Sequence, residues 1–358
     1  MKTPSFDLMN FEALGAEAGH IEEEIKKAQE AGLLPKDYRY LITEDNLQNY
    51  LASHPETVLP DVITVKTHSV PPEDYIKNGK KKSIVTRSAG YDHLEHLQKV
   101  ANITSLREYC VNAVAQTAVK LMYDCCGYLN KYTLNTVTFD RNHLPSFWEL
   151  NETRTCTVYG VGRIGKRTYE LAKANGLTVQ AVDIREEELG KLYGDSVKFV
   201  SKEEAAENTD IVLNVMNLTR DPASRFYNVN YFSEEYLSSF RKPIMFVNVT
   251  RGDIAPEATL MKLYKAGKIL GIGVDVFSGE AAFAKCVNGQ TPENDDERAS
   301  LELLDRAVKR TGNIYVQPHQ GFNSDAAAIA KAREAIRHIV AYYRNGGERF
   351  DEQLPYYC

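Results

Sequence analysis

Several features that define other protein classes are missing from this 358-residue chain. No apolar run approaches the roughly 20 residues that a membrane-spanning helix needs, so we expect no membrane partner. The first residues lack the apolar stretch of a secretory signal, and we therefore expect a cytoplasmic protein. An excess of positive charge is also absent, because the formal net charge is −6. That balance argues against nucleic acid as a partner.

Cysteine pairs are missing as well, although six cysteines are present. None of them forms a C-x-x-C motif, and Cys125 and Cys126 are adjacent in a helix-like segment. The spacing predicts neither a disulfide framework nor a zinc site. Cys156 lies in a predicted core strand, where a thiol acts as a small hydrophobic group. We expect reduced cysteines and no bound metal.

A glycine-rich motif, Gly160-Val161-Gly162-Arg163-Ile164-Gly165, is the most informative feature of the sequence. A predicted strand (154–159) precedes it and a predicted helix (166–175) follows it. A second predicted strand (178–182) then ends at Asp183, at about the 20-residue spacing of a dinucleotide-binding βαβ unit. Gly160 would allow the tight turn, Gly162 the approach of the pyrophosphate, and Gly165 close packing of helix on strand. The motif predicts a bound dinucleotide.

The residue after the second strand bears on the choice of cofactor. Asp183 can accept hydrogen bonds from both ribose hydroxyls and would repel a 2′-phosphate, which favours NAD over NADP. Arg185, two residues later, could instead meet a 2′-phosphate. We give Asp183 more weight and leave tolerance of NADP open.

Strand-like and helix-like segments alternate over much of the chain, which predicts parallel sheets covered on both faces. A long helical pattern covers 109–131, and the last long helix covers 324–345 with Ser324 or Asn323 as its cap. His93, His96 and His338 lie in charge-rich helical patterns, and we expect them at the surface. The predicted strands outside the glycine motif are 61–65, 83–86, 196–200, 210–215, 244–249, 270–276 and 313–317.

Ligands of such sheets bind beyond the carboxyl ends of the strands. The strand that ends at 249 leads to Arg251, the next leads to Asp275 and Glu280, and the last leads to His319. Arg251 could hold a substrate carboxylate, and His319 could donate or accept a proton with Glu280 beside it to favour the imidazolium. Asp275 would position the nicotinamide end of the cofactor. A set of this kind suits hydride transfer to a 2-oxo acid.

Each of these residues also has a plainer interpretation. Arg251 could be a solvated turn residue, and Asp275 and Glu280 could be a helix cap and a surface charge. His319 could be a loop histidine packed against Phe322. Of the eight histidines, only His319 stands at a strand end downstream of the glycine motif.

Several motifs together resemble the D-isomer-specific 2-hydroxyacid dehydrogenases, with a leaning toward the D-lactate dehydrogenase branch of that family. They are Arg163-Ile164 in the glycine motif, the segments 248–252 and 273–280, and Pro318-His319, with 87–92 and 109–115 upstream. The similarity runs from about Asp61 to Tyr342, and the motifs occur in the family's order.

The resemblance implies NAD as cofactor and a reversible hydride transfer between NADH and a small 2-oxo acid, pyruvate to D-lactate before others. It implies Arg251, Glu280 and His319 as catalytic residues. The substrate would be bound by Ala89, Gly90 and Tyr109 together with Arg251 and His319. The cofactor would be bound by the three motif glycines and by Arg163, Ile164, Asp183, Met216, Asn217, Val249, Thr250 and Asp275.

The implied fold is α/β, with two Rossmann-like, doubly wound parallel-sheet domains of the formate and glycerate dehydrogenase type and a cleft between them. Residues 1–112 would begin the substrate domain, 113–320 would form the NAD-binding domain, and 321–358 would return to the substrate domain. Family members are commonly homodimers, so we expect a homodimer here.

The chain departs from the family pattern at three places. Met216-Asn217 replaces a valine-proline pair beside the nicotinamide, Gln116 replaces a glutamate, and the polar segment 281–298 does not align. Alternative substrates are glyoxylate or hydroxypyruvate, or an aromatic 2-oxo acid. A non-catalytic protein that senses NAD(H) and binds a partner is a further alternative, which an intact trio of catalytic residues disfavours.

Overall fold

The computed structural model describes residues 5–77 and 79–357. The chain divides into two compact units, one formed by Met1–Cys110 with Asn323–Cys358 and the other by Val111–Phe322. Each unit contains one parallel sheet covered by helices. The predicted α/β fold with two parallel-sheet domains is therefore confirmed.

The first unit is built on a five-stranded parallel sheet with strand order β2-β1-β3-β4-β5. Neighbouring residues of β3 face opposite sides, so that Val62 joins one apolar cluster and Ile63 the other. Both faces of the sheet are thus buried, as parallel sheets require. The strands are β1 (Leu8–Asn10), β2 (Tyr40–Ile42), β3 (Val62–Val65), β4 (Ser83–Thr86) and β5 (Asn102–Ser105).

Four α-helices are described in this unit, and they cover its sheet. The longest pack together through apolar residues such as Ile21, Ile25 and Ile339, which are fully buried. Ser324 caps the last helix by accepting a hydrogen bond from the N–H of Ala327, as its sequence position predicts. The helices are α1 (Ala16–Glu30), α2 (Leu47–Ser53), α3 (Glu73–Lys77) and α13 (Asp325–Arg344).

The second unit is built on a six-stranded parallel sheet with strand order β11-β10-β9-β8-β6-β7. The order reverses at β6, where the chain moves outward first to β7 and then, on the other side, to β8. Such a reversal opens a crevice at the carboxyl ends of the strands. The strands are β6 (Thr155–Tyr159), β7 (Thr178–Val182), β8 (Ile211–Asn214), β9 (Ile244–Asn248), β10 (Ile269–Val274) and β11 (Ile314–Val316).

Nine α-helices are described in this second unit, and the aromatic residues Phe232, Phe240 and Phe246 lie in its core. They are α4 (Val111–Cys126), α5 (Leu129–Asn135), α6 (Arg163–Ala174), α7 (Glu186–Tyr193), α8 (Lys202–Asn208), α9 (Glu234–Ser238), α10 (Glu257–Lys265), α11 (Glu280–Val287) and α12 (Asp295–Val308).

Several local predictions differ from the structure. The helical pattern 109–131 is interrupted because Tyr128 adopts a left-handed conformation (φ 48°) between α4 and α5. The segment 196–200 forms only one bridge, between Ala181 and Phe199, because a 3-10 turn occupies its start. His338 is buried rather than exposed, since it lies on the face of α13 that packs against Phe350.

Within the described ranges, no helix is both long enough and apolar enough to cross a membrane. The same residues contain no group of three or more histidine, cysteine or acidic side chains placed to hold a metal ion. The five described cysteines are buried and unpaired. Among them, Cys156 lies in β6 and is fully buried in the core, as predicted.

Candidate active site

The glycine motif forms the turn between β6 and α6. Gly160 has a φ of +83°, and a Cβ at this position would lie 2.7 Å from the Cα of Met216. A Cβ at Gly165 would overlap the carbonyl oxygen of Gly160. Because no side chain fits at either position, the motif holds the turn and the start of the helix in close contact. The neighbouring loop with Met216 therefore packs directly on the motif.

The middle glycine of the motif, Gly162, has open space around it. Around a Cβ built at Gly162, the nearest atom is Nη2 of Arg185, at 3.9 Å. Gly162 is also the N-cap of α6, whose first residues are Arg163 and Ile164. The positive end of the helix dipole thus points at a surface that the backbone leaves open, which fits a pyrophosphate.

Asp183 follows β7 and is held against the glycine motif. Its Oδ2 accepts a hydrogen bond from the N–H of Val161 at 2.7 Å, and its Oδ1 accepts one from the N–H of Arg185 at 2.9 Å. The Arg185 guanidinium lies 3.7 Å from Asp183 and 3.7 Å from Glu188. This arginine is therefore flanked by two carboxylates, which oppose its attraction for a phosphate.

The segment after β9 carries Arg251 and is held by two buried asparagines. Asn248 accepts from the N–H of Thr250 at 3.2 Å and donates to the carbonyl of Arg251 at 2.9 Å. Asn214, at the end of β8, donates to Oδ1 of Asn248 at 2.9 Å. Asn248 belongs to the 248–252 motif, whereas sequence reasoning missed Asn214, although a polar residue at the end of a buried strand was a usable signal.

His319 and Glu280 are in direct contact. Nδ1 of His319 lies 2.8 Å from Oε2 of Glu280, although 39 positions separate the two residues. Because an ionised carboxylate only accepts, the geometry assigns the Nδ1 hydrogen to this bond and leaves Nε2 for another partner. About a third of the histidine side chain remains exposed. The pair can thus hold and transfer a proton at a surface open to a ligand.

The loop of His319 is held by Asp275, which follows β10 and is almost fully buried. Its carboxylate accepts from the N–H of Gln320 at 2.9 Å and of Gly321 at 2.7 Å, and its carbonyl accepts from the N–H of His319 at 2.7 Å. Burial raises the pKa of the Asp275 carboxyl, and these donors work against that rise. His319 has a φ of +53°, a strained conformation for a residue with a side chain. Asp275 thus stabilises a strained turn.

Gly321 is required for this arrangement, and sequence reasoning missed it. A Cβ at Gly321 would lie 2.7 Å from Oδ2 of Asp275, in the place where the backbone must approach the carboxylate. A glycine two residues after the candidate histidine was a weak signal by itself, because its partner is 46 positions away.

A buried glutamate, Glu257, was also missed. Its Oε1 accepts from the N–H of Ser278 at 2.8 Å, and a Cβ at Gly252 would lie 2.7 Å from the same oxygen. Within the described residues, Oε2 has no hydrogen-bond partner. Burial raises the pKa of Glu257 to about 7. This carboxyl supports the Arg251–Gly252 loop and the loop that leads to Glu280.

Three neighbouring strands deliver the candidate catalytic residues to one edge of the six-stranded sheet. Arg251 follows β9, Glu280 follows β10 and His319 follows β11. At the same edge, β9 leads to Val249 and Thr250, and β8 leads to Met216 and Asn217. The amide of Asn214 donates a hydrogen bond to the hydroxyl of Thr250 at 3.3 Å. The carboxyl edge therefore gathers a guanidinium, a carboxylate–imidazole pair and a dinucleotide-type glycine loop within one unit.

The three predicted substrate residues outside this unit lie in the first unit. Ala89 and Gly90 follow β4, where the hydroxyl of Ser88 donates to the carbonyl of Gly90 at 2.7 Å. Tyr109 follows β5, and its N–H donates to Glu334 at 2.8 Å. All three are partly exposed at the carboxyl edge of the five-stranded sheet.

Comparison with known proteins gives one family match. Residues 129–321, more than half of the chain, match the family model described as D-isomer specific 2-hydroxyacid dehydrogenase, NAD binding domain. A D-lactate dehydrogenase of Lactiplantibacillus plantarum is 25% identical over 87% of each chain. One from Staphylococcus aureus is 27% identical over 72% of each chain.

Solved structures show the same fold. The D-lactate dehydrogenase of Aquifex aeolicus, in complex with NAD and lactic acid, has a TM-score of 0.71 at 22% identity and covers 95% of this chain and 96% of its own. A D-lactate dehydrogenase from Treponema pallidum has a TM-score of 0.73 at 20% identity, and the match covers 97% of this chain and 99% of that one. A D-2-hydroxyisocaproate dehydrogenase gives 0.73 at 17% identity, with 95% and 97% covered.

Proposed function

We propose, from the premise that this chain belongs to the D-isomer specific 2-hydroxyacid dehydrogenase family, that it reversibly reduces small 2-oxo acids, pyruvate to D-lactate among them. It is an NAD-dependent D-2-hydroxyacid dehydrogenase by that membership. The observation that carries the proposal is the 2.8 Å contact of His319 with Glu280 at the sheet edge that also presents Arg251. The D-lactate dehydrogenases among the relatives support pyruvate as the first substrate to test.

The residues around the glycine loop fit NAD, because the backbone is open at Gly162 and closed to side chains at Gly160 and Gly165. When bound, NADH supplies the hydride that the ketone carbon receives. Gly162, Arg163 and Ile164 would hold the pyrophosphate with backbone N–H groups. Asp183 would hold the adenosine ribose. The remaining predicted contacts to the cofactor are Met216, Asn217, Val249, Thr250 and Asp275.

Arg251 would bind the substrate carboxylate through its two-pronged guanidinium and polarise the ketone. His319 would donate the Nε2 proton to the oxygen of the reduced carbonyl, and the reverse reaction would return it. Glu280 would keep the imidazole oriented through Nδ1. Ala89, Gly90 and Tyr109 would complete the binding of the substrate.

Two finer statements belong to this proposal. We propose a homodimer, as the family resemblance implies, and a cytoplasmic location. We also propose that residues 1–112 with 321–358 act as the substrate domain and that 113–320 act as the cofactor domain.

The proposal is tested by NADH oxidation at 340 nm with pyruvate, glyoxylate, hydroxypyruvate and phenylpyruvate. Loss of the general acid typically lowers the rate by about 10²–10⁴-fold, so we expect His319→Ala to lower kcat by that order and to leave NADH binding intact. His143→Ala is a matched control, because His143 forms the same kind of pair with Asp140 at 2.7 Å on the surface. Wild-type protein that binds NADH and reduces none of these acids would contradict the proposal.

A further inference from the structure

A group of charged side chains lies at the carboxyl edge of the five-stranded sheet, outside the candidate catalytic trio. We call Lys66, Arg87, Lys331 and Glu17 the cationic cluster. Lys66 directly follows β3 and Arg87 directly follows β4. Nε of Arg87 lies 3.0 Å from Glu17, Nζ of Lys331 lies 3.6 Å from it, and Lys66 forms an ion pair with it. Three cations thus share one carboxylate.

The positive charge of this cluster exceeds its negative charge, although its side chains are mostly buried. The side chain of Arg87 is fully buried, that of Lys331 is 9% exposed and that of Lys66 is 19% exposed. Burial lowers the pKa of Lys331 to about 8, and Lys66 and Arg87 add to this effect against the attraction of Glu17. Like charges held together away from water are costly unless an anion joins them.

The nearby carboxylate of Glu12 is engaged elsewhere. It accepts hydrogen bonds from the hydroxyl of Ser69 at 2.6 Å and from the N–H groups of Lys66 at 3.0 Å and His68 at 3.3 Å. Glu12 thereby fixes the backbone of Lys66 and leaves its ammonium directed to Glu17. An ammonium group has three donors, so one bond to Glu17 leaves capacity for a further acceptor.

The cationic cluster adjoins the residues that we propose to hold the substrate. Nζ of Lys331 lies 5.5 Å from the ring centre of Tyr109. Ala89 and Gly90 come two and three positions after Arg87 on the loop that follows β4. The surplus charge therefore lies at the edge of the sheet where these three residues also lie.

We propose that the ammonium groups of Lys66 and Lys331 bind a second carboxylate of the substrate, so that the enzyme prefers 2-oxo dicarboxylates to 2-oxo acids whose side chain is uncharged, which we call the neutral acids. This inference rests on the proposed function. The hydride still goes to the ketone carbon and the proton to its oxygen, and the second carboxylate takes no part in bond changes. Pyruvate remains a substrate but lacks the group that the cluster binds. Arg87, which is fully buried and also donates to Thr64, keeps Glu17 in place.

The experiment compares substrates that have the same shape and differ in charge. Oxaloacetate is paired with 4-methyl-2-oxopentanoate, and 2-oxoglutarate with 5-methyl-2-oxohexanoate. We expect kcat/KM to be at least about tenfold higher for the dicarboxylate of each pair, as charge-assisted hydrogen bonds allow. Mass spectrometry should find the corresponding 2-hydroxy dicarboxylate as product.

The variants Lys331→Met and Lys66→Met should each lower the dicarboxylate-to-neutral ratio by about tenfold or more, while kcat/KM for the neutral acids is kept or raised. Lys331→Arg should keep most of the preference, because it keeps the charge. Lys82→Met is the matched control, since Lys82 pairs with Asp61 at 2.6 Å just before β4, at the opposite end of the same sheet. This control should leave the ratio unchanged.

Each outcome decides a different point. Turnover that favours the neutral acids, or a ratio unchanged in both lysine-to-methionine variants, would overturn the inference and leave the proposed function standing. Faster turnover of the cationic 5-guanidino-2-oxopentanoate would also overturn it and would assign the specificity to Glu17. Absence of NADH oxidation with every 2-oxo acid would refute the proposed function and this inference with it. Should Lys331→Met fail to fold, the more exposed Lys66→Met decides the question.

Discussion

The carboxyl group of Glu257 makes stability depend on pH in a way that can be measured. This side chain is 1% exposed, supports the loops of Arg251 and Glu280, and has a pKa raised to about 7 by burial. In the unfolded chain the pKa returns to its ordinary value near 4.5. The unfolded state therefore releases its proton first as the pH rises, so folding stability falls between these two values and stays low above pH 7.

The size of this loss of stability follows from the shift in the pKa of Glu257. One pKa unit corresponds to 1.36 kcal/mol, so the loss of stability between pH 5 and pH 8 is about 2 to 3 kcal/mol. Glu257→Gln removes this loss, because an amide keeps the acceptor for the N–H of Ser278 and carries no charge. We expect the free energy of unfolding of the variant, relative to that of wild type, to rise by about 2 to 3 kcal/mol between pH 5 and pH 8.

The measurement is urea unfolding of wild type and Glu257→Gln at both pH values, followed by tryptophan fluorescence and circular dichroism. Glu207→Gln, at an exposed position, controls for the loss of one surface carboxylate. The predicted pH dependence would be refuted if the difference in unfolding free energy between wild type and Glu257→Gln were the same at pH 5 and pH 8. That result would mean that water reaches this carboxyl in the folded protein.

Two further predictions concern glycines. Gly321→Ala places a Cβ 2.7 Å from the Asp275 carboxylate. We expect kcat to fall by about 10-fold or more and NADH affinity to be kept, because only the loop of His319 moves. An unchanged kcat would contradict this prediction and show that the loop tolerates the shift. Gly165→Ala places a Cβ against the carbonyl of Gly160, so NADH affinity measured by fluorescence quenching should fall by at least about tenfold. Gly190→Ala, whose Cβ would have nothing within 4 Å, is the control for the second substitution.

Local patterns predicted the glycine loop well because its function depends on adjacent residues. The strand Thr178–Val182 has the predicted bounds, and Asp183 reaches back to the N–H of Val161 at 2.7 Å. The start of α6 was placed three residues late, since the motif residues Arg163 to Gly165 are themselves helical. Helix bounds are less sharp in sequence than strand ends that meet a glycine.

Interactions between distant residues could not be predicted from these patterns. Glu17 and Lys331 are far apart in the chain, and both occur in helices that also carry exposed charges, so the sequence does not distinguish them from surface residues. His338 was predicted to be exposed for the same reason. Which face of a helix is buried depends on what packs against it, here Phe350 for His338.

The amino-acid sequence by itself determined the βαβ order, the glycine turn and the strand ends at which Arg251, Glu280 and His319 lie. These features depend on side-chain periodicity and on backbone conformations that are local. Only the tertiary structure decided that Asp275 holds the strained turn of His319, that Glu257 is buried and that three cations share Glu17. Those properties depend on exclusion of water and on contacts between separate segments, because a charge acquires a shifted pKa or a partner only when the folded chain surrounds it.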